Sequence, residues 1–339
     1  MVETVLSEPL VRQPLYLDFD ERGRLWVVQY IQYPNPAGLE VLTWDKHLRK
    51  VFDQVPPPPP FTEPLHRKFI GQDKITIHED TDGDGTFDVH KTFLDGLNMV
   101  TSLAHGKDGV WVLHPPYLLF YPDKDRNDIP DGKPVVHLSG FNLEDTHSIS
   151  NSLKFGPDGW LYWTKGAGAT QTYTYQGKLW SSDARHIYRR QPDHADVEQV
   201  MVGGMDNPVE VAFSQGGDRF LTNTNIQHVG EPRKDGILHA VYGGVYPKDI
   251  LPVYQFPWTG PDMLTELAGW TALAPAGLMC YQSSQFGTEY RGNLFSALFN
   301  GHSVRRHILT RKGATFQNQE ADFLVCEDVQ FHPTDVLED

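Results

Sequence analysis

The sequence is poor in cysteine, short of cations and without a long apolar run. Its two cysteines, Cys280 and Cys326, form neither a CxxC pair nor a CxxCH motif, which excludes covalent haem attachment and a CxxC redox centre. They are left to pair with each other or to act as small buried hydrophobes. No apolar stretch reaches the roughly 18 residues of a spanning helix, so no membrane insertion is expected. No segment has a clear helical period, which argues against a helical bundle. Met1–Val5 has neither the basic region nor the apolar core of an export leader, so export would mean a leader already removed. Lys and Arg total 29 against 44 Asp and Glu, a net charge of −15. Such a surface repels phosphate backbones and excludes nucleic acid as a partner.

What the 339 residues do contain is glycine (30), proline (25) and 12% aromatics, a mix suited to many short strands joined by turns. One pattern recurs: an apolar strand, a Gly-containing turn, then a strand rich in Trp, Tyr, Leu and Val. It occupies Leu15–Val28, Ser102–Leu113, Leu153–Trp163 and Val209–Leu221. Each copy reads as a hairpin, and repetition near the length of one blade points to a propeller. A fifth unit is expected over Ala274–Tyr281 and Asn293–Leu298, and a sixth from Asp328–Pro333. The chain then stops where a partner strand belongs, so the last blade is incomplete or closed by a strand near Met1–Val5. The expected fold is all-β: one six-bladed β-propeller domain over 1–339, with a Pro-rich insertion near 34–70. Pro56–Pro60 should be a stiff surface spacer, and Gln171–Ser182 a long projecting loop.

Asp80, Asp82 and Asp84, followed by Gly85 and then Asp88, fit the DxDxDG calcium loop. Carboxylates at positions one, three and five converge on one ion, and the glycine at six allows the sharp turn. The twelfth position is Lys91 rather than Glu, so the loop is not an EF-hand; it joins two expected strands. A degenerate copy follows with Asp123, Asp125, Asn127 and Asp131 as candidate ligands and Asp128 in the glycine position.

Glu144–Asn151 leads directly into the third repeat. In a propeller such a segment lies at a mouth of the central channel. His147 there can act as a general base near neutral pH, oriented by Asp145 or Glu144. A surface histidine bonded to a neighbouring carboxylate is the alternative.

The Asp145–His147 pair ahead of Leu153–Thr164 resembles the soluble pyrroloquinoline-quinone-dependent glucose/sorbosone dehydrogenases, in which an Asp-His pair precedes a similar hairpin. Asp206–Phe213, Asp235–Pro247 and Ala274–Leu298 resemble further segments of that family in the same order. The overall look is closest to the membrane-bound dehydrogenase domains of large bacterial proteins. The resemblance implies oxidation of a sugar or related alcohol, with His147 as base and calcium and pyrroloquinoline quinone as cofactors. It also implies a haem c electron acceptor outside this chain and a periplasmic or secreted location. Asn207, Glu210 and Asn225 are the expected cofactor contacts, with Asn223 and His228 as further polar groups. Three departures oppose the quinone: Leu97, Asp206 and Phe299 stand where the family has Gln, Arg and Lys. Two other readings stay open. One is a calcium-dependent hydrolase or lactonase with a metal at Glu210, Asn207 and His147. The other is a non-catalytic propeller that binds glycans or proteins through Trp180, Tyr173, Tyr175, Tyr254, Trp258 and Trp270.

Overall fold

The computed structural model describes residues 2–45, 48–166, 171–224, 235–247, 251–256, 260 and 262–339. Contacts divide the chain into two compact units, 1–147 (with Asp339) and 148–338.

In the first unit, strands β1 (Pro14–Phe19) and β2 (Leu25–Gln29) form a hairpin. A smaller hairpin of β3 (Val41–Trp44) and β4 (Lys50–Phe52) comes before β5 (Asp73–Glu79) and β6 (Val89–Leu97). The sheet order is β1-β2-β5-β6, with β3-β4 separate. Strands β7 (Ser102–Gly106), β8 (Gly109–His114), β9 (Tyr117–Pro122) and β10 (Val135–Ser139) make the second antiparallel sheet. One apolar layer, with Trp26, Ile75 and Leu97 from the first sheet and Leu103, Val112 and Leu119 from the second, fills the space between them. Burial on both faces explains why β2 is buried at every position rather than alternating.

The second unit repeats this plan. Strands β11 (Asn151–Phe155), β12 (Leu161–Lys165), β15 (Arg185–Arg190) and β16 (Glu198–Gly204) form a sheet that β20 (Gly244–Pro247) extends by parallel pairing. Its satellite hairpin is β13 (Gln171–Tyr175) with β14 (Lys178–Ser182). Next come β17 (Asn207–Phe213), β18 (Arg219–Thr224), β19 (Asp235–His239) and β21 (Ala268–Trp270). The last sheet is β22 (Pro275–Cys280), β23 (Leu294–Leu298), β24 (Ser303–Lys312) and β25 (Thr315–Val325). Apolar layers again lie between consecutive sheets. Among the described residues no helix is long and apolar enough to cross a membrane.

All five expected hairpins are present. Three sequence expectations are corrected. Gln171–Ser182 is not a loop: Tyr173 buries against Tyr188, ring centroids 5.3 Å apart, and Gln176 and Gly177 take the left-handed conformations of a tight hairpin turn. The proline run is no free spacer, because Pro56 and Pro59 are buried and the Pro56 carbonyl accepts the Tyr117 hydroxyl at 2.7 Å. No described strand follows Val325, so Asp328–Pro333 does not begin a blade. Phe331 instead closes a turn on the Asp328 carbonyl. The two cysteines are free, Cys280 buried and Cys326 half-buried.

The first strand of each sheet is an edge strand, and in four of the five it carries a register shift. In β11, β17 and β22 three residues oppose two, as in Pro208↔Asn223 followed by Val211↔Leu221. Prolines 14, 208 and 275 lie at or next to the start of these strands, where a missing N–H is tolerated. Bulges re-aim side chains, and here they aim them at the next sheet. Ser152 Oγ accepts the Val211 N–H at 2.9 Å, and Glu210 Oε2 accepts the Leu278 N–H at 3.2 Å. The Thr222 hydroxyl donates to the Ala276 carbonyl at 2.6 Å. The C-terminal tail completes the series: the Gly277 N–H donates to Thr334 O at 3.0 Å, and the Glu338 carboxylate accepts the Gln282 and Ser283 N–H groups.

A Cβ on Gly277 would lie 2.4 Å from Asp335 Cα. Gly277→Ala should therefore lift the tail, raising hydrogen exchange at residues 277, 282 and 283. Unchanged protection at these amides would contradict the packing.

Candidate functional site

The candidate base and its partner sit at the end of the first unit. Asp145 Oδ1 accepts the His147 main-chain N–H at 3.2 Å and lies 3.3 Å from the ring Nδ1. With Nδ1–H directed at the carboxylate, the Nε2 lone pair is left outward, on a side chain 71% exposed. Burial alone would raise the Asp145 pKa; the bonds from His147 outweigh it and hold the carboxyl below its ordinary value. The insertion supports this segment. Lys50 N–H donates to Glu144 O at 3.1 Å, and the Thr146 hydroxyl to Pro34 O at 3.0 Å. The Tyr33 ring meets the His147 ring edge-on at 5.3 Å. The role of Tyr33 was not legible in sequence, because it depends on how the insertion folds back.

The expected cofactor contacts lie in the second unit. Glu210 is buried, with one carboxylate oxygen on Lys154 Nζ and the other on the Leu278 N–H. Asn207 is half-buried with a partnerless Oδ1, and Asn223, across the register from Pro208, is fully buried with neither amide atom bonded. Asn225, His228 and Trp258 lie outside the described residues. Lys154 was missed in the sequence, since nothing in a linear reading pairs it with Glu210 across two sheets.

These residues do not fit a quinone bearing three carboxylates. Such a group needs uncommitted cations, and here Lys154 is paired with Glu210 and Arg185 with Asp206 at 3.7 Å. Leu97 is buried in the core of the first unit, and Phe299 is stacked on His332 at 4.4 Å.

The acidic loop fits a hard cation. Carboxylate oxygens of Asp80, Asp82 and Asp84 lie within 4.8 Å of one another, the only such group among the described residues. Gly83 and Gly85 take left-handed conformations. The Asp88 carboxylate accepts the Thr81 N–H and hydroxyl, bracing the loop. The second loop repeats the scheme: Asp123 accepts the Asn127 and Asp128 N–H groups, and Asp131 that of Lys124. Both loops join the third and fourth strands of their sheets. In the second, the carboxylates are not gathered as a trio; Asn127 Nδ2 donates to Asp125 at 2.9 Å. Asp128, left-handed in the glycine position, sends its carboxylate to Arg24 at 2.7 and 2.8 Å and to Lys91 at 2.6 Å. Arg24 also binds Asp20, so the second loop is clamped onto the β1–β2 turn.

Burial opposes ionisation of Asp128, but the bonds to Arg24 and Lys91 prevail and bring its pKa down to about 2. A depressed carboxylate stabilises the fold above its unfolded pKa and ceases to as pH falls through the folded one. Denaturation of the wild type should therefore show a loss of about 2–3 kcal/mol between roughly pH 4 and 2 that Asp128→Asn lacks. Equal acid sensitivity in both proteins would contradict this assignment.

Residues 1–338 match the family described as Domain of unknown function (DUF7133). No curated protein matches the chain. Among solved structures it resembles an oxidoreductase (glucose dehydrogenase) from Thermus thermophilus, with 16% identity, 99% of this chain and 89% of that one covered, and a TM-score of 0.55. It also resembles a luciferin-regenerating enzyme (9% identity, 96% and 79% covered, TM-score 0.49). A third likeness is to the calcium-binding regucalcin of Agrobacterium tumefaciens (13%, 89% and 73%, TM-score 0.44). The first of these carries the fold, a β-propeller. By the match along almost its whole length, the chain is a member of the DUF7133 family.

Proposed function

We propose that the chain is a propeller enzyme acting on a sugar or related alcohol, with His147 taking the proton of a substrate hydroxyl. The observation that carries this reading is the Asp145–His147 pair: a carboxylate fixes one ring nitrogen and leaves the other open to solvent. Tyr33 beside the ring offers an apolar face for a pyranose-like substrate. Calcium in the Asp80–Asp88 loop would brace a turn rather than take part in this chemistry. On the same resemblance, a haem c domain outside the chain would accept electrons, and the enzyme would work in the periplasm or outside the cell. Oxidation also removes the carbon-bound hydrogen with two electrons; because pyrroloquinoline quinone does not fit the residues around Glu210, a diffusible two-electron acceptor of the dye or quinone class would have to take them before they pass to the haem.

A second reading, metal-assisted hydrolysis of a lactone or ester, is favoured by the unbonded amide oxygens of Asn207 and Asn223. These are hard donors, suited to a divalent cation that polarises a carbonyl.

With calcium present, the protein should be assayed for dye-linked oxidation of aldoses and polyols and for lactone hydrolysis. His147→Ala should lower the active turnover by about 10²–10⁴-fold with the fold intact. Added pyrroloquinoline quinone should not bind saturably. Full activity in the folded variant would overturn the role of His147, and tight stoichiometric quinone binding would overturn the misfit.

A further inference from the structure

After β25 the chain turns back beneath the β23–β24 connection and brings two histidines together. The His302 Nδ1–H donates to Phe331 O at 2.8 Å, and the His332 Nδ1–H to Phe299 O at 2.9 Å. The bonds are reciprocal, each ring reaching the segment that carries the other. A carbonyl only accepts, so both Nδ1 atoms carry the hydrogen and both Nε2 atoms keep a lone pair. The ring centroids lie 5.1 Å apart. His332 is further held by stacking on Phe299, the planes 15° apart. His302 occupies a left-handed conformation (φ 49°, ψ 38°), a sparsely populated one for a residue other than glycine. A backbone carbonyl on the far nitrogen is the arrangement that fixes tautomer and ring direction in metal-binding histidines.

We propose that His302 and His332 bind a borderline-soft divalent metal ion such as Zn²⁺ through their Nε2 atoms. Imidazole nitrogen suits zinc and does not suit calcium, which takes oxygen ligands, so this site and the acidic loops select different ions. The free thiol of Cys326, whose main-chain N–H donates to His302 O at 3.0 Å, is the adjacent soft group. It is not gathered with the two rings, so the protein supplies two ligands and water the rest. The ion would pin the returning C-terminal segment to the last sheet.

The test is calorimetric titration of the full chain with Zn²⁺ in excess Ca²⁺, which fills the oxygen-ligand loops. One zinc should bind per chain at this site. His332→Ala and His302→Asn (asparagine tolerates the left-handed backbone) should each weaken it at least about tenfold; His90→Ala, at the other histidine pair, where His90 Nδ1 lies 3.0 Å from His78 Nδ1, should not. Binding should weaken on acidification, because protons compete with the metal for the same lone pairs. Unchanged zinc affinity in the His332→Ala, His302→Asn double variant, shown to be folded by circular dichroism, would overturn the proposal. So would loss of the site in His90→Ala.

Discussion

The second unit depends on hydrogen bonds that pass from the bulged edge strand of one sheet to that of the next. An edge strand exposes unpaired N–H and C=O groups, and a bulge adds more. Here the bulges of β17 and β22 are satisfied laterally: Ser152 of β11 takes the Val211 N–H, Glu210 of β17 takes the Leu278 N–H, and Thr222 of β18 donates to the Ala276 carbonyl. Glu210 is the most demanding of these. A carboxylate taken out of water is tolerated only with full partnering, and Lys154 from one sheet and a main-chain N–H from another provide it.

That tie decides which chemistry is possible. Glu210 and Lys154 occupy each other, so the residues that looked like cofactor contacts serve first to join strands. The nearby amides of Asn207 and Asn223 stay available, but they are neutral and cannot balance a trianion. In the proposed reaction the catalytic role falls instead to Asp145–His147, which needs no bound charge to be oriented. Its segment is held by the 34–70 insertion, giving that stretch a positioning role that its proline content alone would not suggest.

The hairpins were legible because their signals are local: alternating strands around a turn residue that must go left-handed, as Gly23, Gly159 and Gly217 do. The Asp80–Asp88 loop was legible for the same reason, since all its ligands lie within nine residues of one another. What failed was non-local. Leu97 read as a lost cofactor contact and is core. Asp128 read as a poor glycine and is the partner of Arg24, 104 residues away. The β13–β14 hairpin was hidden because its turn, Gln176-Gly177, lacks the usual Asn-Gly or Asp-Gly pair. The expected sixth unit at Asp328 followed from counting repeats, whereas the tail satisfies its backbone against β22 and its own turn.

The most direct measurement is a double-mutant cycle on Lys154→Met and Glu210→Gln, read by chemical denaturation. If the pair joins the sheets as described, the losses in the two single variants should together exceed the loss in the double variant by at least about 1 kcal/mol. Additivity within about 0.5 kcal/mol would mean that the two groups act independently. Glu210 and Lys154 would then both be free for a ligand, which contradicts the quinone misfit.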